Sequence, residues 1–127
     1  MMPYERLRAW QKCHELVLAV YRCTKLWPKE EIYGLTSQVR RATYSAAANI
    51  VEGAAKRGVN EYRRFLDMAV ASLHEVSYIL RIAKDLGLGA REDLVQLEEL
   101  RESAGKLTWR LYEAVGKRSP QQRKATR

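Results

Sequence analysis

The strongest constraint in this sequence is a single unbroken stripe between residues 62 and 83. Tyr62, Leu66, Ala69, Leu73, Val76, Leu80 and Ala83 follow one another at steps of four and three, with no proline or glycine inside the run. Such steps place all seven side chains on one face of an α-helix. Phe65, Ile79 and Ile82 thicken the stripe. A helix with so wide an apolar face cannot keep it dry alone, so the chain must fold as helices packed on one another. Asn60 is the expected N-cap of this helix, Glu61 suits its first turn, and Gly87 is placed to end it.

Three other segments carry the same period. A first helix is expected from about Glu5 to Lys25, with Leu7, Trp10, His14, Val17, Tyr21 and Thr24 on its inner face and Leu18 and Val20 widening it. Trp27-Pro28 stops it, because proline pushes the residue before it out of the helical region. A second helix is expected from about Gly34 to Arg57. Its first seam is Leu35, Val39, Ala42, Ala46, Ile50 and Gly53; a second, expected on the opposite side, is Tyr44, Ala47, Val51 and Ala54. A helix apolar on two sides is buried on two sides. The bundle covers one; a neighbouring copy of the chain is the natural cover for Tyr44, Ala47, Val51 and Ala54. The last helix runs from about Ala90 to Gly116, with Leu94, Leu97, Leu100, Ala104, Leu107, Leu111 and Val115 inward. Four amphipathic helices with short connections predict an all-α, antiparallel up-down four-helix bundle over residues 1–118 that assembles into a homo-oligomer. Residues 119–127 have no periodicity and read as a disordered basic tail.

Composition supports this and narrows the function. The chain has 127 residues, 46% hydrophobic and 30% charged, with three prolines. That suits one helical domain with a real core. No apolar run is long enough to span a membrane and no signal peptide is evident, so a cytoplasmic protein is expected. Cys13 and Cys23 are ten residues apart on one helix, about 15 Å, too far to bridge, so both are expected as free thiols.

Catalytic patterns fail on inspection. His14-Glu15 and His74-Glu75 open like H-E-x-x-H, but Leu18 and Tyr78 stand where the second histidine belongs. The E-x-x-H pattern of di-iron bundles fails too, with Gln11 and Ala71 three residues before the histidines. Cys13 and His14 diverge by about 100° on a helix, and there is no glycine-rich phosphate loop. No enzyme, metal or cofactor is expected.

What remains is basic charge. The net charge is +8; residues 117–127 carry five bases and no acid, leaving +3 for the rest. Within the fold, Arg40, Arg41, Lys56, Arg57, Arg63 and Arg64 stand against Glu52 and Glu61, with Tyr62 and Phe65 interleaved. The short turn brings Lys56, Arg57, Arg63 and Arg64 together. Such a corner suits phosphate through paired hydrogen bonds and counterion release. Lys117, Arg118, Arg123 and Lys124 extend it. The competing reading makes these arginines structural.

Several stretches resemble a known family. They are Trp10-Gln11-Lys12, Tyr33 to Ala42, Asn49-Ile50-Val51-Glu52-Gly53, Glu61-Tyr62-Arg63-Arg64-Phe65-Leu66 and Ser72-Leu73-His74-Glu75. Together, over roughly residues 7–88, they closely resemble the bacterial four-helix-bundle proteins encoded in intervening sequences of 23S ribosomal RNA genes. The resemblance implies a ring-like pentamer. It extends to the accessory proteins of diversity-generating retroelements, which are basic, bind nucleic acid and partner a reverse transcriptase. One departure is Ser45-Ala46-Ala47-Ala48, where the family usually has a proline; helix 2 is expected to be straighter for it. The leading expectation is a non-catalytic oligomeric module binding RNA or DNA through the basic corner. The alternative is a protein-interaction scaffold, such as a reverse-transcriptase accessory subunit, with no direct nucleic-acid role.

Overall fold

A computed structural model of the protein describes residues 1–118. They form four α-helices: α1 Arg8–Thr24, α2 Leu35–Ala54, α3 Val59–Leu86 and α4 Arg91–Gly116. Short 3-10 turns at Pro3–Arg6 and Lys29–Glu31 precede α1 and α2. Among the described residues there is no strand.

Each helix packs on its sequence neighbour, and α4 closes on α1. The pairings run antiparallel: Ser45 meets Ser72 and Gly53 meets Phe65 across α2–α3, while Arg63 reaches Tyr112 and Ser77 reaches Glu98 across α3–α4. Leu16, Ile50, Leu66, Leu73 and Leu97, drawn from all four helices, are fully buried at the centre. Each such side chain contributes about 1.5–3 kcal/mol relative to exposure.

The α3 stripe is buried as its spacing requires. Gly87 ends the helix at φ 72°, and Leu88 N–H donates to the Ala83 carbonyl at 2.8 Å. This left-handed residue with its return bond satisfies carbonyls the helix leaves open. At the other end α3 starts two residues earlier than expected: Gly58 is the N-cap, so Asn60 lies inside the helix. Helix α2 is unbroken from Leu35 and stops at Ala54, three residues short of Arg57, where Ala55 and Lys56 bond back to Glu52 and Gly53 and the chain turns towards α3.

Helix α1 corrects the sequence reading. Its core side is Ala9, Cys13, Leu16, Val20 and Thr24. Leu7, Trp10 and Val17 are only half-buried, and His14 and Tyr21 are exposed. Both stripes fit a helical period. Size decides between them, because the close-packed interior takes Ala9 and Cys13 where tryptophan and histidine would not fit. On α4, Leu100, Leu107 and Leu111 are half-buried, while Thr108 is fully buried against Cys13, its hydroxyl donating to the Ala104 carbonyl at 2.7 Å.

The second α2 seam is also not where a strict opposite face would be. Arg40 lies on the same side of α2 as Tyr44 and Ala47, and it is clamped to the end of α1. The seam therefore runs along α1. Ala47, only 8% exposed, is already covered by the chain itself; Val51 and Ala54 are half-buried, and Tyr44 is 64% exposed. Tyr44 is the part left open, with Val51 half-buried; on α1, Trp10 and Val17 are half-buried and Tyr21 is exposed.

Candidate nucleic-acid interface

An even number of antiparallel helices brings the end of α2, the start of α3 and the end of α4 to one pole of the bundle. Lys56 and Arg57 occupy the turn 55–58, Arg63 and Arg64 lie near the start of α3, and Lys117 and Arg118 follow α4. Buried rings hold several of these cations in place. The Phe65 ring carries Lys56 at 5.2 Å and Arg64 at 4.9 Å, and Tyr62 carries Arg118 at 5.3 Å. Tyr62 and Phe65 are thus not free to stack on a ligand; they position the charges around them. Burial pushes the Tyr62 hydroxyl upward from its ordinary pKa, against the pull of Arg118.

One acid answers the cluster directly. Glu61 accepts from Arg64 at 2.9 Å, and that hydrogen bond holds its carboxyl below the ordinary range. Both groups are exposed, so the pair adds little stability. Lys56, Arg57 and Lys117 are exposed, and no carboxylate among the described residues is within ion-pairing distance of them.

Arg63 plays a different part. Its Nε donates to the Tyr112 carbonyl at 3.2 Å, and its guanidinium lies 3.9 Å over the Tyr112 ring. Gly116 makes the room: a Cβ there would fall 2.7 Å from the guanidinium carbon. A cation on the carbonyl end of α4 also suits the helix dipole. The far side of Tyr112 takes Trp109, stacked at 5.1 Å and 18°. This Arg63–Tyr112–Trp109 ladder escaped the sequence reading. The three-residue spacing of Trp109 and Tyr112 on one helix was visible; the arrival of Arg63 from another helix was not.

Arg40 and Arg41 do not join the corner. They lie 16 and 15 residues before Lys56, about 20 Å from the end of α2. Arg40 donates to Thr24 Oγ1 at 2.8 Å and lies 4.7 Å over the Tyr21 ring, which makes it a structural clamp between α1 and α2. Arg41 is exposed on the helix flank. Arg123 and Lys124, with the rest of the basic tail, lie outside the described residues.

Cys13 and His14, neighbours in sequence, lie in different environments. Cys13 is buried, and burial pushes its thiol from 9.0 to about 12 despite its contact with Thr108. His14 is exposed and stacks on Trp10 at 4.9 Å. Both cysteines are free thiols. Among the described residues, no three metal-ligating side chains come together and no helix is long and apolar enough to cross a membrane.

With four helices and this pole in view, comparison with protein families is decisive. The family model described as 23S rRNA-intervening sequence protein matches residues 5–110, most of the chain. The chain belongs to this family. The match takes in α1 to α3 and α4 as far as Arg110, so it spans Lys56, Arg57, Arg63, Arg64 and Trp109 and stops before Tyr112, Lys117 and Arg118. No curated protein matches the chain.

Proposed function

We infer that the protein is a non-catalytic, self-associating bundle that binds RNA or DNA at the pole built by the end of α2, the start of α3 and the end of α4. One observation carries this: exposed Lys56, Arg57, Arg64 and Lys117 come from three separate elements to one pole, and among the described residues Glu61 is the only acid paired with them. Clustered, incompletely neutralised cations favour a polyanion because binding releases its counterions. Arg63 and Arg118 support the surface from beneath, through Tyr112 and Tyr62. Family membership supports a role connected with RNA. The buried, hard-to-ionise Cys13 supports a non-catalytic reading, since the thiolate is the reactive form.

Self-association rests on the outer side of α1 and α2, which leaves Tyr44 and Tyr21 exposed and Val51, Trp10 and Val17 half-buried. A pentamer is the count the resemblance implies. A second reading has its own observation. Arg40 and Arg63 serve as structural clamps, as they would in a scaffold that docks a protein such as a reverse transcriptase and never touches nucleic acid.

The test is salt dependence. Binding of a short RNA or DNA should weaken with a log–log slope of about −0.7 to −0.9 per phosphate contacted. Replacing Arg57, Arg64 and Lys117 with Glu should abolish it and leave the oligomer intact in sedimentation velocity. Absence of binding by the unaltered full chain at low salt would refute the nucleic-acid reading and leave the scaffold.

A further inference from the structure

Trp109 offers more than an end to the ladder. Arg63 at 3.9 Å fills one face of Tyr112, so Trp109 takes the other, and the outer face of the indole then turns away from the stack. Trp109 is 49% exposed and forms one wall of a groove of about 310 Å³ between α3 and α4. Val70, Leu73 and Gly105 contribute apolar lining, and His74, Glu102 and Lys106 are polar. The volume is at the small end of ligand-sized clefts.

Two further observations narrow the occupant. The groove's charges are already balanced: Lys106 pairs with Glu102 at 3.2 Å, and Arg101 pairs with Glu98. A compensated rim does not attract phosphate, but it can hydrogen-bond a flat, uncharged group. The second observation is Gly105, in the interior of α4. A Cβ there would meet only the Arg101 guanidinium, at 3.6 Å, so packing within the chain does not require glycine. The residue still weakens the helix by about 1 kcal/mol relative to alanine. What it provides is open space one turn before Trp109.

The geometry points to a stacking site for an unpaired base of single-stranded nucleic acid on the outer face of Trp109. The site deepens the nucleic-acid reading and rests on it. The strand's phosphates lie on the exposed cations of the pole, while one base enters the neutral groove and continues the Arg63–Tyr112–Trp109 stack. Trp109 is nine residues from Arg118, about 13 Å along the helix axis, so one strand can reach both. Stacking on an aromatic ring is tolerant of base identity. The ligand class is therefore a strand with exposed bases, not a duplex.

Three labelled probes of equal length test this on the full chain: a single-stranded RNA, its DNA counterpart, and an abasic phosphodiester with the same charge. Anisotropy should show tighter binding of at least one base-bearing strand than of the abasic one, and the RNA-to-DNA ratio then identifies the preferred sugar. Trp109→Ala should weaken the base-bearing strands by about 5- to 100-fold and leave the abasic probe unchanged. Trp109→Phe should restore part of the loss. Gly105→Leu, which fills the groove with a strong helix former, should match Trp109→Ala. Equal affinity for abasic and base-bearing probes overturns the stacking site while the basic pole stands. Absence of binding to every probe removes the pole reading, and the stacking site with it. If Trp109→Ala or Gly105→Leu dissociates the oligomer, the groove is a subunit contact and the proposal fails.

Discussion

Two glycines inside helices should respond in opposite ways to the same substitution. At Gly53 a Cβ would lie 3.0 Å from Phe65 Cβ, 3.1 Å from Tyr62 Cδ1 and 3.3 Å from the Tyr62 carbonyl oxygen. Carbon atoms prefer about 3.5–4.0 Å, so α3 would have to retreat by several tenths of an ångström, and part of what must move is backbone. Overpacking of this kind costs about 1–3 kcal/mol. Against it stands a helix-propensity gain of about 1 kcal/mol. Gly53→Ala should therefore lose about 1 kcal/mol net. At Gly105 the propensity gain meets no close neighbour, so Gly105→Ala should stabilise by up to about 1 kcal/mol. The two variants should differ by about 2 kcal/mol, or roughly 6–10 °C in Tm for a chain of this size. Thermal unfolding followed by far-UV circular dichroism measures this, at matched protein concentration because self-association would add to apparent stability. Shifts of the same sign and size for both variants would refute the close approach of α2 and α3 at Gly53.

Cys13 makes a second prediction. Its thiol pKa is raised in the folded state, so its stabilising effect is complete below pH 9 and is lost as the pH rises towards 12. The stability difference between the unaltered protein and Cys13→Ala should narrow above pH 9 by about 1.4 kcal/mol per unit, read by urea unfolding at several pH values. A constant difference would place Cys13 in contact with solvent. Arg40→Ala should cost about 1–2 kcal/mol through its lost Thr24 and Tyr21 contacts. It should leave nucleic-acid affinity and its salt slope unchanged, whereas weakened binding would return Arg40 to the interface. Val51→Glu, on the open edge of the α1–α2 face, should shift light scattering towards the monomer; an unchanged oligomer would move the subunit contact elsewhere.

The fold was largely legible because helix period is a local property. The α3 stripe, the α2 core seam and the Gly87 cap follow from spacing and side-chain size, and all three are found. Helix α1 was legible only in part, with Val20 and Thr24 buried as expected but His14 and Tyr21 exposed, because it carries two stripes of equal period. Choosing between them needs the width of the space inside the bundle, which no single helix encodes. The corner was legible to the extent that it is local, since a short turn must juxtapose Lys56, Arg57, Arg63 and Arg64. It was not legible that Arg63 leaves that group to bind the Tyr112 carbonyl, or that Arg40 belongs to α1. Both depend on which helices are neighbours. The same holds for Thr108, a polar residue that is buried because Cys13 and its own helix carbonyl satisfy it.

The up-down path has a practical corollary for protein engineering. Four passes return the polypeptide to the side from which it set out, and the first and last helices are neighbours there. A circular permutant that joins the end of α4 to the start of α1 through a short linker, and opens the loop around Lys29–Glu31, should keep every helix and the whole cationic pole. Opening the chain at residues 55–58 instead would set Lys56 and Arg57 on loose ends, separated by the cut from Arg64. Comparing the two permutants would tell whether recognition depends on that hairpin bend being continuous.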